Sequence, residues 1–420
     1  MKLLLGIDYG TGGCKVTAIG EDGTFVGEAS TEFQTYHDHP GWSEQEPSDW
    51  WNALKSSLEK LAAKGVDLKS VAACALDGST HNAVLMDADY RPVRRTIMWT
   101  DQRATAECEA LKAGWGEKIF STCYQMPAPT WTLPQMMWLK ANEPEALAKT
   151  EHVLFVKDYV RYLLTGEAAT DRIEAQGTLF FDMAKGKWDD DLVQLAGLSL
   201  AKLPRLIAPT DLAGRVTAEA AAFTGLPEGT PVVCGSSDSA VEDYGAGAVE
   251  PGDLIIKLAT AGNVNSMTAE AHPHPKTLTY SHIVPGMWYS VSATNAAALC
   301  MRWLRDAFYG EWGTGNGEFV FPDRRGGREV VRRGERRVLP SVSPGRTVPL
   351  LGLELACLLH GRVDFVHARG LRACAYGGRC LLAPRLLPHA RGDAASGEAH
   401  LPHRRRCALA PLERDRRERL

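Results

Sequence analysis

The sequence predicts an α/β protein built from two related domains that face each other across a cleft. Three observations carry that reading. The first thirty or so residues alternate short apolar runs with glycine-rich or acidic turns. The middle of the chain shows helical periodicity between further apolar strands. A strand–turn–strand opening then recurs about 250 residues after the first one.

Taken in order, LLLGID, GTGG, KVTAI, EDG and TFVGEA read as strand, tight glycine turn, strand, acidic turn and strand. PSDWWNALKSSLEKLAAKG has helical periodicity, started by Pro47 and Ser48 and stopped by Gly65. VAACALDG and HNAVLMD are the next strands. Helical patterns follow in ATAECEALKAG, PQMMWLKAN and VKDYVRYLLTG. GTPVVCGSSDSAVEDYGAGAV reads as a strand opening into a small-residue helix. LIIKLATAGNVNSM restarts the strand–turn–strand pattern.

A chain of 420 residues can bury several cores. The start, MKLLLGIDYG, is broken by Gly6 and Asp8 and reads as a first strand, not a signal peptide. No apolar run approaches membrane-spanning length, so no membrane partner and a cytoplasmic location are expected. Ten cysteines without a CxxC pair read as reduced thiols. His272 and His274 lie in a proline-rich loop without a cysteine partner and read as a loop, not a metal site.

The net charge of −4 conceals a break. Residues 1–321 carry 16 Lys and 10 Arg against 41 acidic residues, a net −15. Residues 322–420 carry 21 Arg, no Lys and 10 acidic residues, a net +11, and contain no Ile, Asn, Gln, Met or Trp.

Several residues are candidates for chemistry. Gly10-Thr11-Gly12-Gly13 joins two strands, and the backbone N–H groups of such a turn suit phosphate oxygens; a plain hairpin is the alternative. Asp8, ending the incoming strand, suits Mg²⁺ held through water, and Lys15 on the outgoing strand suits a transferred phosphoryl group. Thr260-Ala261-Gly262-Asn263 is a second turn of the same kind. Between the two nests, Asp238 in GSSDSA sits where a strand gives way to small residues that leave room for a ligand. Its structural alternative is a helix N-cap. GEWGTGNGE, residues 310–318, resembles a phosphate loop in glycine content alone and reads as a surface loop.

Together these motifs resemble the FGGY family of carbohydrate kinases, closest to its xylulokinases, over residues 2–321. GIDYGTGGCKV is similar to the family's first phosphate motif and GWSEQEPSDWW to its tryptophan-rich segment. TIMWTDQRA resembles the sugar-side motif, and KDYVRYLLTGEAATD with QGTLFFD the stretch before the base. GTPVVCGSSDSA resembles the catalytic-base segment and LATAGNVN the second phosphate loop. The resemblance implies an actin-like, duplicated ribonuclease-H-like fold that uses ATP and Mg²⁺ to phosphorylate a sugar hydroxyl. The N-terminal domain would span 1–245, and an incomplete ATP-binding domain would start at 246–321.

By that resemblance Asp238 is the base and Asp8 the Mg²⁺-associated acid. Gly10, Thr11, Gly12, Lys15, Thr260, Gly262 and Asn263 line the phosphates. His81, Trp99, Asp101 and Arg103 match the sugar-side positions. Thr80 and Asn82 depart from the family's Met-His-Gly pattern around His81, which leaves open which ketopentose, related sugar or polyol is the substrate. A homodimer is left open too.

The resemblance stops near Phe321. Loss of Lys, Ile, Asn, Met and Trp with gain of Arg, Gly, Pro and Ala is what GC-rich coding DNA yields in a wrong frame. Back-translated and read one base later, LPSVSPGRTVPLLG permits FHPYLQGERSPYWD, similar to a second-domain family motif. AHLPHRRRCALAPL with the following glutamate permits LIFLIGGGARSPLW, similar to the adenosine motif. The sequence therefore suggests an out-of-frame, disordered tail over 322–420, and with it poor solubility and little or no kinase activity. A sugar-binding remnant without catalysis is the alternative. Nucleic-acid binding through the tail rests on charge alone, without interleaved aromatic residues, so no nucleic-acid partner is expected.

Overall fold

In β1 (Leu3–Gly10) and β2 (Gly13–Gly20) every second residue is buried, placing Leu3, Leu5, Ile7 and Tyr9 beside Cys14, Val16 and Ala18 on one face. The computed structural model describes residues 1–258, 262–294 and 297, and as strands 319–322, 328–331, 371–376 and 379–384. Residues Met1–Arg385 group as one unit, to which everything below belongs; Leu386–Leu420 lies outside the described residues.

The chain continues through β3 (Phe25–Glu32), α1 (Pro47–Ala63), β4 (Val71–Gly78), α2 (Val156–Thr165) and α3 (Arg172–Gln176). Then come β5 (Leu212–Arg215), β6 (Pro231–Ser237) and α4 (Asp238–Gly245). The first sheet has the order β5-β6-β4-β1-β2-β3. Its centre, β6-β4-β1, is parallel and its flanks are antiparallel. Trp50, Leu54, Leu58 and Leu61, at helical spacing on α1, are fully buried in the core that this sheet builds. Each such leucine contributes about 1.5–3 kcal/mol relative to exposure.

The second sheet contains β7 (Leu254–Leu258), β8 (Gly262–Thr268), β9 (Leu278–Ser281), β10 (Trp288–Thr294), β11 (Leu371–Tyr376) and β12 (Arg379–Pro384). Its order is β9-β10-β8-β7-β12-β11, antiparallel throughout. Met267, Tyr280 and Tyr289 from this sheet share a core with Trp131, Phe155 and Ile173. Gln125 Nε2 donates to the Thr279 carbonyl at 2.6 Å, and Gln176 Oε1 accepts the Ser281 N–H at 2.8 Å. The two halves that the sequence separates therefore meet through both apolar and backbone contacts.

The expected strands and helices form. One boundary moves: the helix read from ATAECEALKAG runs over Thr105–Cys123, past Gly114 and Gly116, and ends at Tyr124 in the left-handed region with φ 58°. Two interior glycines cost about 1 kcal/mol each. Burial of Ile119 and Cys123 beyond them offsets that cost. Cys14, Cys74, Cys108, Cys123 and Cys234 are buried and free.

Candidate active site

Parallel pairing brings the C-terminal ends of β1, β4 and β6 together, the place where open α/β sheets bind ligands. In register, Asp8 of β1 faces Asp77 of β4, and Asp77 faces Ser236 of β6. A bulge between Val233 and Ser236 re-aims the end of β6. Only glycine serves at Gly235 there, because φ is +73° and a Cβ would lie 1.7 Å from the Leu76 carbonyl oxygen. Past the bulge, Ser237 caps α4 by accepting the Ala240 N–H at 3.4 Å. The N-cap alternative for Asp238 thus falls to its neighbour. Asp238 is the first helical residue, and its Oδ1 accepts the Ser239 N–H at 2.6 Å.

Three carboxyl groups collect at these strand ends. Asp238 is pushed up to about 6, mainly by burial, with Asp8 and Glu242 adding to the shift and Lys257 and the Ser239 N–H opposing it. Asp77 is raised well above the usual carboxylate range by burial and by the charge and hydrogen bond of Asp8. Lys15 Nζ lies 3.6 Å from Asp8 Oδ2 across the β1–β2 pair. Lys257 on β7 pairs with Glu242, one turn along α4 from Asp238. Asp243, pushed up to about 7 by burial, binds Asn265 Nδ2 through both oxygens at 2.8 and 2.9 Å.

The first glycine turn is open. Side-chain atoms added at Gly12 would meet nothing within 4 Å, and at Gly10 nothing nearer than 3.9 Å. Neither glycine is required by the protein's own packing, so the room beside them is available to a ligand. Gly13 differs, since its Cβ would lie 2.9 Å from the Thr31 carbonyl oxygen. The turn is held from outside: Gln45 Nε2 donates to the Thr11 carbonyl at 2.7 Å, and Trp99 Nε1 donates to Thr11 Oγ1 at 3.3 Å. In the second turn Thr260 lies outside the described residues. Gly262 is required by contact, with a Cβ 2.8 Å from Ala297 Cβ, and Asn263 sits beside it at the head of β8.

Asp8 and Asp77 fit a divalent cation held through water. Two carboxylates in cross-strand register favour a cation or a proton between them, and Mg²⁺ takes a few hard oxygen ligands and keeps several waters. Among the described residues no cluster of three or more His, Cys, Asp or Glu forms a metal cage, so waters or phosphate oxygens would complete the shell.

The sugar-side residues divide. His81 is buried with left-handed φ of 53°, its ring stacked on Trp131 at 5.0 Å, its Nδ1 without a hydrogen-bond partner. Burial pushes its pKa down to about 4, so the imidazole is neutral. Trp99 is 41% exposed and Thr80 half-buried. Asn82 is fully buried and its amide is used internally: Nδ2 donates to Ser79 O at 2.8 Å and Ser79 Oγ at 3.0 Å, and Oδ1 accepts the Trp99 N–H at 2.5 Å.

Asp101 and Arg103 are likewise committed to the protein. Asp101 Oδ1 accepts the Arg103 N–H and Nε–H at 2.8 and 2.9 Å, while Oδ2 accepts Arg103 Nη2 at 2.8 Å and the Ser43 N–H at 2.6 Å. Arg103 Nη1 lies 2.8 Å from Glu44, and its guanidinium stacks 3.6 Å over Trp42. Both side chains are at most 1% exposed. Asp77 escaped sequence reasoning, although DG at the end of VAACALDG echoes the DYG that begins with Asp8.

Residues 3–245, more than half of the chain, match the N-terminal domain of the FGGY family of carbohydrate kinases. The chain belongs to this family. It is 33% identical over 303 residues to the xylulose kinase of Escherichia coli, covering 72% of this chain and 62% of that one. It is 30% identical over 311 residues to the xylulose kinase of Bacillus subtilis, covering 73% and 62%. The crystal structure of xylulose kinase from Rhodospirillum rubrum superposes with a TM-score of 0.71 at 28% identity, covering 74% of this chain and 65% of that one. The chain thus spans about 62% of the length of the curated relatives it matches. It has the actin-like ATPase fold of the FGGY sugar kinases. No helix among the described residues is long and apolar enough to cross a membrane.

Proposed function

We propose that this chain is an ATP-dependent sugar kinase acting on a ketopentose of the xylulose type, with Asp238 as general base. The observation that carries the reading is the convergence of Asp8, Asp77 and Asp238 on the ends of three parallel strands beside a glycine turn with open space. The relatives' names supply the substrate class.

In this reading Asp238 accepts the proton of the sugar hydroxyl as its oxygen attacks the γ-phosphorus in line. The bond to the β–γ bridging oxygen breaks, and ADP leaves. A carboxylate shifted to about 6 is ionised at neutral pH and still basic enough for the task. Gly10, Thr11 and Gly12 offer backbone N–H groups to the phosphates, Gly262 and Asn263 face them from the second turn, and Lys15 offsets their charge. Asp8 and Asp77 would hold Mg²⁺ through water, and that ion supplies charge neutralisation at the phosphates when bound. Trp99 and His81 line the sugar pocket with Thr80. Asp101, Arg103 and Asn82 act behind them by fixing that wall. The reading includes a cytoplasmic location, where ATP is supplied.

The composition change near residue 322 favours a second reading, a chain that binds sugar without turning it over. Calorimetry with D-xylulose, with and without ATP, and a coupled ATP-consumption assay separate the two. Sugar-dependent ATP consumption supports the kinase, and sugar binding without it supports the second reading. Failure to bind D-xylulose and other ketopentoses overturns both. DNA reads across the codons for residues 316–326 test the frame change proposed for the tail.

A further inference from the structure

His81 occupies a backbone conformation that non-glycine residues avoid, with φ 53°. The fold holds it there from three sides. Its carbonyl accepts Thr132 Oγ1–H at 2.7 Å, and its ring lies between Trp131 and Gly177, where a Cβ would come within 3.1 Å of Cδ2. Its N–H is accepted by Glu174 Oε1 on α3 at 2.5 Å.

Glu174 is fully buried, and its other oxygen, Oε2, has no hydrogen-bond partner. The charges around it come from α2 and from the strand before α3. Lys157 lies 2.6 Å from Asp158 and 2.8 Å from Asp171, and Arg161 lies 2.6 Å from Asp158. Tyr280 of the second sheet and the neutral His81 complete the surroundings. Two buried cations are therefore already matched by two buried carboxylates. A third carboxylate with no cation of its own would be an uncompensated buried charge, so Glu174 keeps its proton. Burial drives its pKa well upward, with Asp158 and Asp171 adding to the shift and Lys157 and the His81 N–H opposing it.

The same network reaches the base. Asp171 Oδ1 caps α3 by accepting the Ile173 and Glu174 N–H groups and also accepts Ser236 Oγ–H at 2.9 Å, two residues before Asp238. We propose that Glu174 is a positioning residue for the sugar pocket: as an uncharged acid it accepts the His81 N–H and fixes His81 in its left-handed conformation, on the same α3 end that Asp171 ties to the end of β6 leading into Asp238. This rests on the sugar-kinase reading above.

The test uses Glu174→Gln, which keeps an acceptor without a charge, and Glu174→Leu, which removes the acceptor at similar volume. D-xylulose affinity by calorimetry, KM and kcat, and hydrogen exchange of the His81 amide are measured on the full chain, with melting curves as a check of folding. In Glu174→Leu, D-xylulose binding is expected to weaken by about tenfold or more through KM more than kcat, with the His81 amide exchanging at least about tenfold faster. Glu174→Gln is expected to restore both to within about threefold. Equal losses in the two variants would show that a charge is needed and overturn the proposal, as would a Glu174→Leu chain with unchanged exchange and binding. If the unsubstituted chain binds no sugar while Glu174→Leu still frees the His81 amide, the sugar-kinase reading fails and the hold of Glu174 on His81 stands.

Discussion

Asp101 and Asp8 belong to two neighbouring charged clusters, joined where Gln45 and Trp99 bond the first glycine turn, and the fold treats the two in opposite ways. In the cluster built from residues 42–45 and 99–103, each charge has a partner in place. Asp101 and Arg103 form a buried ion pair, Glu44 joins Arg103 to Arg94 at 2.8 and 2.6 Å, and Trp42 covers the guanidinium. At the ends of the parallel strands, Asp8, Asp77 and Asp238 crowd like charge, and two of the three are raised out of the usual carboxylate range. Saturated polar groups hold shape. Crowded carboxyl groups are tolerated where a cation, a phosphate shell or a proton in transit completes them. Position in a family motif therefore does not tell which residues touch substrate; the state of their hydrogen bonds does.

The largest expected effect tests the crowded cluster. Asp238→Asn should lower turnover by about 10²–10⁴-fold while D-xylulose affinity stays within a few-fold. In the unsubstituted protein, turnover should rise with pH up to about 6, as the base ionises, and then level off. The stability effect has the opposite sign. A carboxyl whose pKa is raised on folding favours the folded state below its unfolded value of 3.8, and that contribution is lost as pH rises through about 6. Asp238→Asn should thus melt above the unsubstituted protein at pH 8, with the gap closing below about pH 4. A variant that keeps its activity would break the comparison.

Next comes the saturated cluster. Arg103→Met leaves Asp101 buried and unpaired and should destabilise by about 3–5 kcal/mol, read from denaturant unfolding. A change below about 1 kcal/mol would show that the pair is not structural.

The smallest effect separates two glycines one position apart. Gly13→Ala should cost about 1–3 kcal/mol, because the Thr31 carbonyl blocks its Cβ. Gly12→Ala has open space and should leave stability within about 0.5 kcal/mol while weakening ATP binding. Equal effects on stability would remove the argument that a ligand, not packing, requires Gly12.

Local signals were legible because they depend on a few residues each. The alternation in LLLGIDYG, the Pro47 start of α1 and the glycine turns need no distant partner to be read. The helix over Thr105–Cys123 was read short because Gly114 stops a helix by local preference, whereas packing of Ile119 and Cys123 carries it on. Asp77 escaped because its meaning comes from cross-strand register with Asp8, which depends on pairing two strands about 60 residues apart. Glu174 escaped for the same reason: the His81 N–H it accepts lies 93 positions away in the chain.

By itself, then, the sequence determined the order of strands and helices, the two glycine turns and the identity of Asp8 and Asp238 as site candidates. These follow from short-range periodicity and from chemistry carried by single motifs. Only the tertiary structure decided which motif residues are already bonded within the protein and which keep free capacity. Asp101, Arg103 and Asn82 spend their hydrogen bonds on Ser43, Trp99 and each other's loops, while the His81 Nδ1 keeps no partner and the Trp99 ring is 41% exposed. The physical reason is that a polar side chain's role is set by which donors and acceptors surround it after folding, and those come from segments that no local pattern connects.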